Sequence, residues 1–429
     1  MMKRLNKLSS TRNREFPRSI LFLTSAIFCL ALSPVADAAT KHYRLIWNDD
    51  PATKATVGWT HIDGDDATLH YGSVDHGQDW KKYPVTEEVD RKTSHQRLKT
   101  HFVRLTELKP DSIVYFVIRS GDHVSPRFWF RTAPSENKPL TFVAGGDSRN
   151  HRDARQRANR SVAKLRPLFV CFGGDMIDRP VPREWYDWFD DWQLTIAEDG
   201  RIFPIVAARG NHEHYRDVNY LFDTPNKDDY YAFTIGKQYL RVYTLNSNIV
   251  RGGAQGAWLA SDLKANQDYT WKIAHYHHPF RPHTSGKKEQ DAQYEAWAPA
   301  FYEFGLNLAI ECDSHTVKRT WPVRPSNEAG SDHGFIRDDE RGTVFIGEGC
   351  WGAPLRPNDD IKEWTRDSAS FNQVNWIAVT PEKMTARTIR VDEVDQFESV
   401  DDEKPLTPPA NLPVWKASNG TEVVIEPWK

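Results

Sequence analysis

Between residues 140 and 315 the chain repeats one arrangement five times: a short apolar run with strand character, then a sharp turn, then side chains capable of chemistry. The five are "LTFVAGGDSRN", "LFVCFGGDMID", "FPIVAARGNHEH", "WKIAHYHHPF" and "LNLAIECDSH". Helix-period stretches lie among them, including "ARQRANRSVAKL", "EWYDWFDDWQLTIA", "GAWLASDLKAN" and "AQYEAWAPAFYEF". Strands alternating with helices predict an α/β domain, and in such domains functional groups collect beyond the carboxyl ends of the strands. A single D-x-H in a loop is an ordinary solvated turn. Five polar clusters in series, each behind a strand, are not surface decoration.

At 429 residues the chain is too long for one compact core, and 39% hydrophobic residues with 16 Trp exclude a disordered protein. Residues 42–134 show short alternating runs such as "ATVGWT", "ATLHYGS" and "RFWFRT" separated by turns, which predicts a small antiparallel β-sandwich. The stretch 101–121 resembles the E–F corner of a fibronectin type III-like domain, with Val114 where a corner tyrosine is usual. "APSENKP" reads as a linker. The resulting division is a leader over 1–38, a β-sandwich over 39–134, an α/β domain over 139–392 and an extended, loosely docked tail over 393–429.

The leader combines six basic residues, an apolar run "ILFLTSAIFCLAL" too short for a comfortable membrane span, and Ala36-Asp37-Ala38, which fits the small-x-small cleavage rule. It predicts a secreted or periplasmic protein with no membrane attachment after cleavage. Removing residues 1–38, with six basic and two acidic side chains, moves the formal charge from -3 to -7. An acidic chain is not built to bind nucleic acid or anionic lipid. Of the three cysteines beyond the leader, Cys312 with Cys350 is the only pair considered for a bridge, and Cys171, inside a strand-like run, is read as a buried thiol.

The five clusters supply Asp147, Asp175 with Asp178, Asn211 with His212, His275 with His277 and His278, and Asp313 with His315. Carboxylates, imidazoles and an amide oxygen form a mixed hard and borderline set suited to two divalent or trivalent cations. Such a pair can generate hydroxide near neutral pH and hold a phosphate during in-line attack.

In this order the motifs resemble those of the metallophosphoesterase superfamily, and in particular purple acid phosphatase-like proteins with an N-terminal fibronectin-like domain: two G-D motifs, "GNHE", an H-x-P and a final x-x-x-H, across roughly residues 42–390. The resemblance implies a calcineurin-like sandwich of mixed β-sheets flanked by helices. It implies two metal ions, of iron, manganese or zinc. Asp147 and His315 would bind the first, Asp175 would bridge, and Asn211 and His277 would bind the second, His277 being chosen because Pro279 follows two positions later. His212 would protonate the leaving oxygen or grip the phosphate, and Glu213 would orient His212.

Three motifs depart from the pattern. In the first, "GDSR", Arg149 is placed either to bind a phosphate oxygen or to form a plain salt bridge. Asp178 stands where purple phosphatases carry the tyrosine ligand, so it is carried over as a ligand position without the phenolate that gives the colour. Asp313 replaces the first histidine of G-H-x-H; as a substitute ligand it would favour manganese, iron or magnesium over zinc. His283, in "RPH", is expected to be an exposed loop histidine. The activity implied is hydrolysis of a small phosphate ester, first of all a phosphomonoester. The alternatives are a phosphodiesterase of the same fold and a non-catalytic binding protein with a decayed site. Oligomeric state is left open.

Overall fold

The computed structural model describes residues 39–428, so the predicted leader lies outside the described residues. Two large sheets dominate the described residues. One has ten strands, with Leu140–Gly145, Phe169–Phe172 and Pro204–Ala207 parallel and adjacent at its middle. The other has seven, with Leu240–Thr244, Trp271–His275, Leu308–Glu311 and Val344–Gly347 parallel in that order.

Strand alternation assigns the faces. Phe142, Ala144, Phe169 and Cys171 of the first sheet share one core with Ile273, Leu308, Ile310 and Ile346 of the second, so the two sheets pack face to face. On the far side of the first sheet, Val143, Val170 and Phe172 lie under the helices Arg152–Leu165 and Pro182–Trp192. Trp185, Trp188, Phe189 and Trp192 recur at helical spacing along one face of the latter helix, and all are buried. Burying each such side chain contributes roughly 1.5–3 kcal/mol, which is why this short helix stays docked. On the far side of the second sheet, Ala274, Ala309 and Phe345 meet Leu259, Leu263, Trp297 and Phe301 from the helices Gly253–Ala265 and Asp291–Glu303. The result is a four-layer helix–sheet–sheet–helix sandwich.

The amino-terminal region is all-β. A five-stranded sheet that includes Thr68–Gly72, Ile113–Ser120 and Phe128–Arg131 forms one layer. The strands Thr40–Ile46, Ala55–His61, Leu98–Leu105 and Arg91–His95 belong to the ten-stranded sheet itself. Thr40–Ile46 pairs in parallel with Pro204–Ala207, Leu45 opposite Pro204 and Ile46 opposite Ile205, so backbone pairing runs across the division read from the sequence near residue 134. Trp47, Trp59, Phe116 and Phe130 accordingly share a core with Phe142 and Ile273.

The tail departs from the expectation of loose docking. Glu422–Ile425 adds an edge strand to the ten-stranded sheet, pairing antiparallel with Met384–Arg390, and its Val423 and Ile425 enter the core. Arg319 fastens the turn before it by donating to the carbonyls of Gly420 and Thr421. Among the described residues no helix is long and apolar enough to cross a membrane.

Candidate metal centre

The loops leaving the middle strands of both sheets converge. Asp147, Asp175 and Asn211 follow the three adjacent parallel strands of the first sheet; His277, Asp313 and His315 follow two adjacent strands of the second. Asp147, Asp175, Asp313 and His315 all sit in the left-handed backbone region, at φ of 58, 54, 68 and 57 degrees. Non-glycine residues avoid that region, and strain of this kind collects at functional sites. Gly174, at φ of 91 degrees, lets the second G-D turn close on the "GNHE" loop: a Cβ there would overlap the nitrogen of Gly210.

Two groups of ligand atoms result. In the first, His315 Nε2 is 3.1 Å from Asp147 Oδ1, and Asp175 lies within ligand range of both. In the second, His277 Nε2 is 2.9 Å from Asn211 Oδ1, 3.3 Å from Asp175 Oδ1 and 3.5 Å from Asp313 Oδ1. Ligands bonded to one ion at about 2.0–2.2 Å stand about 3 Å from one another, which is this spacing.

The imidazole tautomers agree. His277 Nδ1 donates to the Gly173 carbonyl at 2.9 Å and His315 Nδ1 to the Pro354 carbonyl at 2.7 Å, so each Nε2 turns its lone pair to the carboxylates. A buried lone pair facing three oxygens needs a positive charge among them. Burial pulls the His277 imidazole down, but the charges of Asp175 and Asp147 and the contact with Asp313 outweigh it and raise its affinity for a cation, proton or metal, well above the ordinary value. Asp175 Oδ2 is buried with no hydrogen-bond partner. Both observations fit cations held at this place, with Asp175 between them.

The surrounding predicted residues divide. Arg149 donates from Nη1 to Asp178 Oδ1 at 2.8 Å, while its Nε, itself unpartnered, stands 3.4 Å from Asp175 Oδ2. Asp178 therefore tethers Arg149 and falls outside both ligand groups, unlike the ligand position carried over from the resemblance. His212 donates from Nδ1 to the Asp178 carbonyl at 2.5 Å and presents Nε2 3.7 Å from Asp175 Oδ2. Glu213 does not touch the His212 ring. Its carboxyl accepts the backbone N–H groups of Asp175, Met176 and Gly210 at 3.0, 2.7 and 2.6 Å, locking two loops together. Burial first, and then the Asp175 charge, push this carboxyl up to about 8.

Of the remaining readings, Cys171 is the buried thiol expected, Cys312 and Cys350 are free and buried and form no bridge, and the exposed position expected of His283 is corrected. Cys312 packs its sulfur where a Cβ on Gly146 or Gly173 would lie, and Cys350 donates to the Thr316 carbonyl, so the two thiols serve different neighbours. His283 is fully buried: its backbone N–H donates to Glu348 Oε2 at 3.0 Å and its Nε2 pairs with Thr365 Oγ1 at 2.7 Å.

Sequence reasoning missed the groups beneath and beside the site. Lys318 Nζ, buried, bonds Glu311 Oε2 and Glu348 Oε1 at 2.5 Å each. Glu311 also accepts from Tyr276 Oη and the Phe280 N–H, and Glu348 from Thr316 Oγ1. The Glu348 carbonyl then accepts the His315 N–H at 2.7 Å, which joins this network to the first ligand group. Gly349 next to it lies so close to Asp147 that a Cβ would overlap the carboxylate. Lys287 pairs with Asp313 Oδ1, and Arg356 donates to the Asp313 carbonyl at 2.7 Å. His278, already named in its cluster from the sequence, stands beside His277 and Asp313. Away from this centre, His95, His214 and Asp217 also come within ligand range of one another, but Asp217 is satisfied by His95 at 2.5 Å and the His214 N–H at 2.8 Å. None of these partners is spaced regularly in sequence; only the fold joins them.

Two face-to-face mixed sheets, flanked by helices and carrying carboxylates, imidazoles and an amide at their strand ends, define a metallophosphoesterase. The family model of calcineurin-like phosphoesterases matches residues 94–317, and that of the purple acid phosphatase N-terminal domain matches residues 40–132. The chain belongs to the calcineurin-like phosphoesterase family and is purple acid phosphatase-like. It is similar to an uncharacterized protein of Mycobacterium tuberculosis, 24% identical over 62% of this chain and 60% of that protein. It is similar also to purple acid phosphatase 15 of Arabidopsis thaliana, 21% identical over 51% of this chain and 49% of that protein. The chain thus spans about 60% or less of the length of these curated relatives. Among solved structures, a purple acid phosphatase from yellow lupin seeds superposes with a TM-score of 0.68 at 14% identity, over 86% of this chain and 76% of that one. PhoD superposes with a TM-score of 0.62 at 13% identity, over 83% and 88%. At these identities the likeness is one of fold.

Proposed function

We propose that this chain is an exported, metal-dependent phosphoric ester hydrolase whose preferred substrates are small phosphomonoesters. The observation that carries the reading is the caged arrangement around Asp175: a buried carboxylate with an unpartnered oxygen, bounded on one side by Asp147 and His315 and on the other by Asn211, His277 and Asp313. Two cations held by these residues would supply Lewis-acid polarisation of the phosphoryl group and activation of water. Asp147 and His315 would serve one, Asn211, His277 and Asp313 the other, and Asp175 both.

The remaining steps belong to the chain's own side chains. Arg149, held by Asp178, keeps a free Nε–H beside Asp175 and offers it to a phosphoryl oxygen. Because His212 Nδ1 is committed to the Asp178 carbonyl, the proton that His212 transfers is on Nε2, which faces the site; it goes to the leaving ester oxygen. Next to Arg149, a cleft of about 210 Å³ lined in part by Ile177, Arg152 and Arg179, the two arginines paired with Asp187 and Glu184, has room for a small leaving group. A larger cleft of about 750 Å³, lined in part by Arg104, Tyr230 and Trp258, shares no residue with the centre. Export is supported by the basic, apolar and small-residue order of residues 1–38, and the acidic remainder supports a small substrate over a nucleic acid.

The test is turnover of p-nitrophenyl phosphate against bis(p-nitrophenyl) phosphate by the full chain, with bound metal counted. Higher kcat/KM on the monoester is expected. Diester preference would sink the monoesterase assignment, and absence of turnover at full metal loading would favour the non-catalytic alternative.

A further inference from the structure

The carboxylate at position 313 and the lysine at position 287 are chemically matched. Lys287 lies in the loop 281–290, which is pinned on both sides of it: Ser285 donates from its N–H and its hydroxyl to Asp359, each at 2.8 Å, and the Gln290 N–H returns to the Phe280 carbonyl at 3.0 Å. The ammonium is therefore delivered to Asp313 by a structured loop. Lys287 is 23% exposed at its side chain and Asp313 only 5%, so the pair sits at the edge of the site with its acidic half inside.

The oxygen that matters is shared. Asp313 Oδ1 is the atom 3.5 Å from His277 Nε2, the one aimed at the second cation position, and Asp313 Oδ1 is also the atom that Lys287 Nζ holds. Two cations on one carboxylate oxygen repel each other and share its charge, so an ammonium held at Asp313 Oδ1 competes with a divalent ion for that atom. The first position differs: Arg149 Nε stands 3.4 Å from Asp175 Oδ2 without bonding it, which leaves that oxygen available. An imidazole in place of Asp313, as the resemblance has it, would offer no negative charge to hold the lysine.

We propose that Lys287 is a resident cation of the second position, so that the chain binds one ion firmly through Asp147, Asp175 and His315 and a second only by displacing the Lys287 ammonium from Asp313. This rests on the two-cation reading above and adds an ordering of the two sites. The two-ion state then depends on the free metal concentration, with Lys287 setting the threshold.

The metal-stripped full chain, titrated with Mn²⁺ by calorimetry and counted by elemental analysis, tests it. Two steps are expected, the second at least ~10-fold weaker, a gap of about 1.4 kcal/mol. Lys287→Met should tighten the second step at least ~10-fold and leave the first unchanged, and Lys287→Arg should keep the gap. Asp313→Ala should remove the second step alone. Two ions of equal affinity in the parent, or a second step that Lys287→Met leaves unchanged or weakens, would overturn the ordering while the two-cation reading stands. Failure of the parent to bind any ion would overturn both.

Discussion

Lys318 is the residue whose removal should cost the most for a change outside the ligand set. Its ammonium touches Glu311 and Glu348, and all three side chains are 0–1% exposed. Each remaining carboxylate oxygen already has its donors in Tyr276, Phe280, Thr316 or His283. Lys318→Met therefore strips one oxygen of each glutamate of its hydrogen-bond donor, leaving Glu348 Oε1 with only His283 Nδ1 at 3.6 Å, and leaves two like charges together in the interior. Removing one member of a buried ion pair costs about 3–5 kcal/mol, and here two pairs share the member, so the upper part of that range is expected. In a domain of this size that corresponds to a fall in Tm of roughly 4–10 °C. The assay is chemical and thermal unfolding in chelator, so that metal binding does not mask the loss. Adding Glu311→Gln and Glu348→Gln to Lys318→Met should recover about half or more of the stability, because a neutral network carries no unpaired charge. Since the Glu348 carbonyl holds the His315 N–H, Lys318→Met should also weaken the first metal step. A single variant that unfolds within about 1 kcal/mol of the parent would refute the reasoning.

Asp175→Ala should abolish turnover and release at least one ion, since its carboxylate faces both ligand groups; elemental analysis showing two ions per chain would remove it from the bridging role. His212→Asn should leave metal content intact and lower kcat by roughly 10²-fold or more, the loss expected of an absent proton donor, and an unchanged rate would exclude it from the mechanism. With iron bound, the protein should lack a strong visible absorption band because Asp178 stands where a phenolate would be; a tyrosinate charge-transfer band would contradict this.

The core sheets were legible because buried parallel strands have a short, apolar signature, and each strand end was marked by a polar cluster, with glycine before it in the first three. That signature gave the strands carrying Asp147, Asp175, Asn211, His277, Asp313 and His315, and the structure brings those six together. It could not give strand neighbours. The parallel pairing of Thr40–Ile46 with Pro204–Ala207 joins segments whose own patterns predict only two strands. The same limit hid the edge strand Glu422–Ile425, whose "EVVI" is a strand pattern lost among the prolines and charges around it. Roles inside the site failed where a carboxylate had competing partners: Glu213 was assigned to His212 by adjacency, yet backbone N–H groups of two loops claim it. His283 and Lys318 look like surface residues because nothing local announces the buried glutamates they meet.

The continuity of the ten-stranded sheet bears on the order in which the chain can acquire its structure. Synthesis delivers Thr40–Ile46 early, but the parallel neighbour that covers its open side, Pro204–Ala207, emerges only after the whole β-rich segment and the first two metal-site loops. Until then the amino-terminal layer presents unpaired N–H and C=O groups along one edge, the kind of edge that recruits other chains. The strand that closes it is also the one that leads into Asn211 and His212. The stretch of edge at Leu45 and Ile46 is therefore closed by the same strand that places the Asn211 loop, and a chain ending before residue 204 lacks the partner for it.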